Sequence, residues 1–207
     1  MATQKKSPIA SERDEGARGL WRWLAERFDG ARRLVFVDEC GTHTSMTRLR
    51  ARAPRGERAY GKVPRNRGKN TTLIASMTLE EGMGASMLIE GATDKEVFEL
   101  YVEHFLAPTL TEGQIVVMDR LGAHRRGRVR ELIEERGCEV LLLPSYSPDL
   151  NPIEEAFSKI KGLLRKAGAR TKEALIEAIA EALSAVTARD AEGWFRHCGY
   201  NVEDQAS

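Results

Sequence analysis

Three short apolar runs are the feature of this sequence that most constrains its fold. They occupy residues 34–37, 115–118 and 140–143. Runs of this length that are rich in Val, Ile and Leu are typical of strands buried on both faces of a sheet. Weaker strand patterns cover residues 71–78 and 85–89, and helical periodicity covers residues 11–28, 93–110, 126–136, 151–167, 171–186 and 189–197. The alternation predicts a mixed α/β sheet with helices on both faces.

Length and composition predict one main domain. The chain has 207 residues, of which 42% are hydrophobic, and this excludes a wholly disordered protein. We expect a tail and helix over residues 1–33, the domain over residues 34–200 and a tail over residues 201–207. The three cysteines are far apart in the sequence, which argues against a zinc cluster or disulfide framework and favours the cytosol. No apolar segment is long enough for a signal peptide or a membrane span.

Acidic residues follow two of the apolar runs. Asp38 ends the first run, Asp119 ends the second, and Glu154 lies in the first turn of the helix after the third. Ligands of open α/β sheets gather beyond the carboxyl ends of the strands, so these side chains are expected to converge. Three converging carboxylates repel one another unless cations lie between them, and hard oxygen ligands select Mg²⁺ or Mn²⁺. The pattern predicts a site for two such ions, which supports phosphodiester chemistry.

Each acid also has a purely structural interpretation. Asp38 and Asp119 are of a residue type that caps turns. Glu154 occupies the third position of a helix that Asn151 caps and Pro152 opens, where a carboxylate meets the helix dipole. Glu155 is the neighbouring candidate for the third ligand, and it points about 100° away around the helix.

A local excess of positive charge lies between residues 46 and 69, although the net charge of the chain is only +1. This stretch holds nine cations and one acid, Glu57, with glycines and prolines that predict loop and hairpin structure. Such an excess predicts contact with phosphates, with a solvated face as the alternative. Lys159 and Lys161, on the helix of Glu154, have the same two interpretations. The nine cations are Arg48, Arg50, Arg52, Arg55, Arg58, Lys62, Arg65, Arg67 and Lys69.

Three sequence blocks resemble the signatures of DDE transposases. They are LVFVDE at residues 34–39, VVMDRLGAH at 116–124 and LPSYSPDLNPIE at 143–154. The 34 residues between Asp119 and Glu154 are similar to the spacing in the insertion-sequence 630 family of the mariner superfamily. The resemblance implies a ribonuclease H-like fold, with Asp38, Asp119 and Glu154 as metal ligands and His124 close to a phosphate.

The same resemblance implies an activity and partners. A protein of this family uses two Mg²⁺ or Mn²⁺ ions to cleave double-stranded DNA at transposon ends. It then joins the ends to target DNA, and it acts as a homodimer on DNA. Arg120 departs from the family pattern, which has asparagine at this place, and Ser145 replaces a usual proline.

Two alternatives are left open by the sequence. The residues before Leu34 are too few for the helix-turn-helix region of the family, so we expect a separately encoded DNA-binding half, or a truncated, catalytically impaired remnant that binds DNA or inhibits an intact transposase. The residues Asp38-Glu39-Cys40-Gly41-Thr42 also resemble the strand end of haloacid-dehalogenase phosphatases, with Cys40 in place of the second aspartate, which that chemistry needs as general acid.

Overall fold

The fold consists of six α-helices and five strands among the residues that the computed structural model describes, which are residue 11 and residues 13–25, 30–65, 69–119 and 126–202. Short 3₁₀ turns and one π-helical turn connect some of them. The strands are β1 (Leu34–Thr42), β2 (Thr71–Thr78), β3 (Gly82–Glu90), β4 (Ile115–Met118) and β5 (Glu139–Leu142). The helices are α1 (Glu15–Ala25), α2 (Lys95–Tyr101), α3 (Arg126–Glu134), α4 (Pro152–Ala167), α5 (Lys172–Ser184) and α6 (Ala188–His197).

The strands form one mixed sheet in the order β3-β2-β1-β4-β5. The pairs β3–β2 and β2–β1 are antiparallel, whereas β1–β4 and β4–β5 are parallel. Phe36 of β1 lies opposite Val117 of β4 in the last parallel pair of those two strands. The carboxyl ends of β1, β4 and β5 therefore point to the same edge of the sheet.

Helices cover both faces of the sheet, as the sequence predicts. On one face, Leu34 and Phe36 pack with Phe157 of α4 and Phe195 of α6 in the larger apolar core. On the other face, side chains of β1 and β4 pack against α2 and α3 in a second core. Period-two alternation along the central strands divides their side chains between the two cores, which is why these strands read as continuously apolar.

Several element boundaries differ from the predicted ones. β1 continues four residues past Asp38, because antiparallel pairing with β2 extends to Thr42 opposite Thr71. The predicted helix over residues 93–110 begins only at Lys95, since the Asp94 carboxylate accepts the backbone N–H of Val97 at 2.9 Å. Beyond Tyr101 that helix changes to a π turn and then a 3₁₀ turn.

The basic stretch is a long exposed loop rather than a hairpin. Neither strand nor helix occurs in its described parts, residues 43–65 and 69–70. Its base is closed because the Ser45 hydroxyl donates to the Pro64 carbonyl at 2.8 Å. Arg170 donates to the carbonyls of Thr44 and Met46 at 3.0 and 2.9 Å, which fixes the base to the end of α4.

Helix α1 is tied to the loop before α4 by an ion pair between a buried arginine and a half-exposed aspartate. The fully buried guanidinium of Arg18 donates to both carboxylate oxygens of Asp149, at 3.0 and 2.5 Å. This interaction holds the pKa of Asp149 below its ordinary value. Nearby, Trp21 Nε1 donates to the Tyr200 hydroxyl at 3.0 Å, and that hydroxyl donates to the Leu150 carbonyl at 2.6 Å. The loop is thus held from both ends of the described chain.

Lys159 ties α4 to the start of α6. Its Nζ donates to the Ala185 carbonyl at 2.8 Å and to Asp190 Oδ2 at 2.6 Å. Thr187 and Asp190 form a capping box that opens α6. The hydrogen bond from Lys159, with those from Thr187, holds the pKa of Asp190 at about 2.

The three cysteines, Cys40, Cys138 and Cys198, are buried free thiols. None of the helices in the described ranges combines the length and the apolar character that crossing a membrane requires.

Replacing Asp149 should destabilise the fold more than replacing Arg18. In Asp149→Ala the buried guanidinium loses its main counter-charge, and we expect a loss of about 3 kcal/mol in the free energy of unfolding. In Arg18→Met an apolar side chain fills the space, and the half-exposed Asp149 is rehydrated, so the loss should be smaller. Urea unfolding of both variants measures the difference. Equal losses in the free energy of unfolding would contradict the expectation that a buried guanidinium without its carboxylate is the more costly.

Asp190 should make stability fall in acid. Because its pKa is lower in the folded state than the ordinary 3.8, the carboxylate stabilises the fold above pH 4, and this contribution is lost as the pH falls towards 2. The stability difference between wild type and Asp190→Asn should therefore shrink over that window in urea unfolding. Glu192→Gln, which removes an exposed acid from the same helix, is the control and should have little effect. A difference independent of pH would contradict this role of Asp190.

Candidate active site

Strand register brings the first two acids together. Asp38 lies two residues beyond Phe36, and Asp119 lies two residues beyond Val117, and Phe36 and Val117 are paired on the parallel strands. Since side chains alternate along a strand, both acids continue the face that Phe36 and Val117 share. This is the face on which α4 packs against β1. Glu154, in the first turn of α4, joins them there.

The three acids line one cavity of about 830 Å³ at the carboxyl edge of the sheet. Asn151 and Glu39 contribute further polar groups, and the loop of residues 143–148 forms one wall. Apolar side chains contribute the remaining lining: Val37, Phe98 and Met118. The sequence-based expectation that Asp38, Asp119 and Glu154 share a site agrees with this arrangement.

Two hydrogen bonds constrain the carboxylate of Asp38. Its Oδ1 accepts the backbone N–H of Glu39 at 2.7 Å, and its Oδ2 accepts Asn151 Nδ2 at 2.9 Å. Burial raises the pKa of Asp38 to about 7. The Glu39 N–H opposes this shift, and the charges of Glu154 and Asp119 add to it. Burial and the neighbouring carboxylates thus both disfavour the charged form of Asp38.

Asn151 differs from its predicted role. It stands at the N-cap position of α4, but its side chain makes no capping bond and donates to Asp38 instead. Helix capping is still provided through the backbone, because the Asn151 carbonyl accepts the N–H of Glu154 at 3.1 Å. No described residue donates to Asn151 Oδ1, although the side chain is buried.

The three carboxylates share the cavity but do not form a closed set of metal ligands among the described residues. Within the described part of the chain, no set of three or more His, Cys, Asp or Glu side chains is arranged to hold a metal ion. Glu155, the alternative third ligand, pairs instead with His197, with Oε1 and Nδ1 3.1 Å apart, and it is not part of the cavity lining. This placement favours Glu154 over Glu155.

The predicted phosphate-binding residues fall into three groups. Those of the long loop between β1 and β2 are exposed, and Lys69 pairs with Glu90 at 3.4 Å. Lys159 is engaged by Asp190 in a pair whose side chains are both partly exposed. Lys161 lies beside the Cys40 thiol, where burial raises the pKa of Cys40 and the ammonium lowers it. Arg67, His124 and the divergent Arg120 lie outside the described residues. The long loop leaves the sheet at the same edge as the cavity.

The sequence analysis did not assign site roles to the loop that forms the cavity wall. Tyr146 in this loop is 58% exposed and has a left-handed backbone with φ 54°, which is uncommon for a residue other than glycine. Its position in the LPSYSPDLNPIE block was the available signal, because the residues between two site-bearing elements must pass the site. Nothing in the sequence around Asn151 or Asp38 indicated that their side chains would form a hydrogen bond.

Comparisons with known proteins agree with this arrangement. A family model described as DDE superfamily endonuclease matches residues 33–176. The Tcb1 transposase of Caenorhabditis briggsae is 29% identical over 118 residues, which are 54% of this chain and 43% of that protein. The chain thus spans less than half the length of this relative.

Solved structures show the same fold. A Mos1 transposase paired-end complex matches with a TM-score of 0.76 and 19% identity, over 96% of this chain and 64% of that one. The catalytic domain of Mos1 mariner transposase matches with a TM-score of 0.64 and 15% identity, over 95% of this chain and 93% of that domain. These matches confirm the predicted ribonuclease H-like fold. Because the family model covers most of its length, the chain belongs to the DDE superfamily endonucleases.

Proposed function

We propose that this chain is the catalytic domain of a transposase that cuts DNA at transposon ends and joins the ends to target DNA. The observation that carries the proposal is the shared cavity of Asp38, Asp119 and Glu154 at the carboxyl edge of the sheet. Membership of the endonuclease family and the likeness to transposases of the mariner type support it.

The donor set fits Mg²⁺ or Mn²⁺. Three carboxylates are hard oxygen ligands, and the orphaned, buried Oδ1 of Asn151 is an acceptor that the water of a hydrated cation can satisfy. Mos1 paired-end complexes were crystallised with Mn and with Mg. Asp38, Asp119 and Glu154 would hold the ions.

When bound, the divalent cations would supply the positive charge that activates the attacking oxygen and stabilises the leaving one. The protein orients the DNA strand and keeps the three carboxylates on one side of the reacting phosphate. In cleavage, water forms a bond to phosphorus, the bond to the 3′-oxygen breaks, and that oxygen leaves as a 3′-hydroxyl. In joining, this hydroxyl forms the new bond to a target phosphorus and displaces the 3′-oxygen of the target strand.

The exposed basic loop is the proposed contact surface for DNA phosphates. It starts at the edge that carries the cavity, and its cations offset the repulsion between DNA and the acidic cavity. A homodimer that holds two transposon ends is the assembly we propose, because Mos1 forms paired-end complexes. We also propose a separately encoded DNA-binding half. It would correspond to the part of the longer relatives that this chain does not match.

The phosphatase alternative lacks support from the site. Cys40, which stands where that chemistry needs an acid, is 1% exposed within the apolar core and is not part of the cavity lining. The alternative of an impaired remnant predicts DNA binding without divalent-metal binding.

Alanine at any of the three acids should abolish cleavage. In Asp38→Ala, Asp119→Ala and Glu154→Ala we expect a loss of at least about 1000-fold in Mn²⁺-dependent nicking, because metal charge stabilisation contributes several kcal/mol. DNA affinity should be retained. The adjacent Glu155→Ala variant is the matched control and should keep most of its activity. An Asp119→Ala protein that nicks DNA at the wild-type rate would overturn the proposed function.

Removing cations from the loop should weaken DNA binding in a salt-dependent way. A triple alanine variant at Arg48, Arg50 and Arg52 should reduce the slope of log K against log salt concentration by about 0.9 for each DNA phosphate that the protein no longer neutralises. The control removes three exposed arginines that already pair with acids: Arg32, Arg130 and Arg196. Equal changes in slope for both triple variants, measured by fluorescence anisotropy, would show that the loop is not a specific contact surface.

A further inference from the structure

The carboxamide of Asn151 is a buried polar group that contacts an acid of the cavity. Asn151 is 4% exposed, and its Nδ2 donates to Asp38 Oδ2 at 2.9 Å across 113 residues of sequence. The other oxygen of Asp38 is held by the Glu39 N–H at 2.7 Å. Both oxygens of Asp38 therefore carry one hydrogen bond each, and this fixes the rotation of the carboxylate. Each oxygen keeps a lone pair for a cation.

We propose that Asn151 is a positioning residue that orients Asp38 for divalent-cation binding. The proposal rests on the proposed function, since it concerns the same cavity. Its basis is that the buried side chain of Asn151 donates to Asp38 Oδ2 at 2.9 Å, from the position that opens the helix carrying Glu154.

Asn151 is itself held in place by the turn that precedes it. Its backbone N–H donates to the Pro148 carbonyl at 3.1 Å, which closes the 3₁₀ turn Pro148–Leu150. Behind this turn, Asp149 is clamped by the buried Arg18 and the Leu150 carbonyl by the Tyr200 hydroxyl. Neither Arg18 nor Tyr200 lies within the residues 33–176 that match the family model. A ligand held by a fixed partner needs less reorganisation when the cation binds.

Hydrogen-bond partners of metal ligands have measurable weight. Loss of such a partner typically lowers metal affinity or activity by about 10–100-fold. An Asn151→Ala variant would leave Asp38 Oδ2 without its donor, so its carboxylate would be free to rotate. The acid ligands themselves would remain, which separates a positioning role from a direct one.

The experiment is a titration of the DNA-free protein with Mn²⁺. Calorimetry and electron paramagnetic resonance measure the binding. Asn151→Ala should bind Mn²⁺ about 10–100-fold more weakly, and cleavage should require correspondingly more Mn²⁺ while DNA affinity stays unchanged. Asn201→Ala, at an exposed asparagine after α6, is the matched control and should bind Mn²⁺ as the wild type does. Wild-type Mn²⁺ affinity in a folded Asn151→Ala protein would overturn the proposal.

Two further variants keep the result interpretable. Thermal unfolding reports whether Asn151→Ala is folded. If it is not, Asn151→Ser, which is polar but too short to reach Asp38 from the same backbone position, should show the same loss, and wild-type affinity there would overturn the proposal. Asp119→Ala distinguishes the positioning role from the proposed function: unchanged Mn²⁺ binding in that variant would reject the proposed function itself. Loss of binding in Asp119→Ala with no effect at Asn151 would reject only the positioning role.

Discussion

The parallel pairing of β1 with β4 is the constraint on which the candidate site depends. β1 has unequal neighbours, because antiparallel β2 supports it as far as Thr42, whereas β4 ends at Met118. Asp38 therefore lies where β1 is still paired with β2 on one side but is beyond its last pair with β4 on the other. Asp119 stands at the point where β4 ends. A central strand with partners of full length on both sides would have no gap for a substrate at this position.

This arrangement brings like charges together, so the three carboxylates repel one another. The sheet and α4 bring three carboxylates to one cavity, and burial makes the charged form of Asp38 costly. Such a cluster gains stability from a cation and repels a phosphate in its absence. The loop between β1 and β2, which carries the cations of the basic stretch, leaves the sheet at the same edge. Under the proposed function, attraction of the nucleic acid and binding of the metal would be divided between two neighbouring surfaces of opposite charge.

Local pattern and strand topology were sufficient to predict the centre of the site. The apolar runs placed Asp38 and Asp119 at one edge, and Pro152 marked the start of the helix that carries Glu154. Propensity failed where a competing local interaction prevailed: the cap by Asp94 starts α2 at Lys95, two residues after the predicted start at residue 93. The predicted hairpin in the basic stretch was wrong, because glycine and proline indicate turns without saying whether the flanking segments pair. Interactions between residues distant in sequence were beyond such reasoning. Arg18 and Asp149 are 131 residues apart, and nothing in either local sequence marks the other as its partner.

The contacts that brace the turn at residues 148–150 have a consequence for how segments of such a gene can be exchanged. All three acids lie inside the segment that marks the family, whereas the arginine and the tyrosine that brace this turn lie on either side of it. A gene rearrangement that transferred only the signature segment would carry over every reactive carboxylate without its scaffolding. Exchange of this segment between distant relatives should therefore be tolerated only when the flanking helices travel with it.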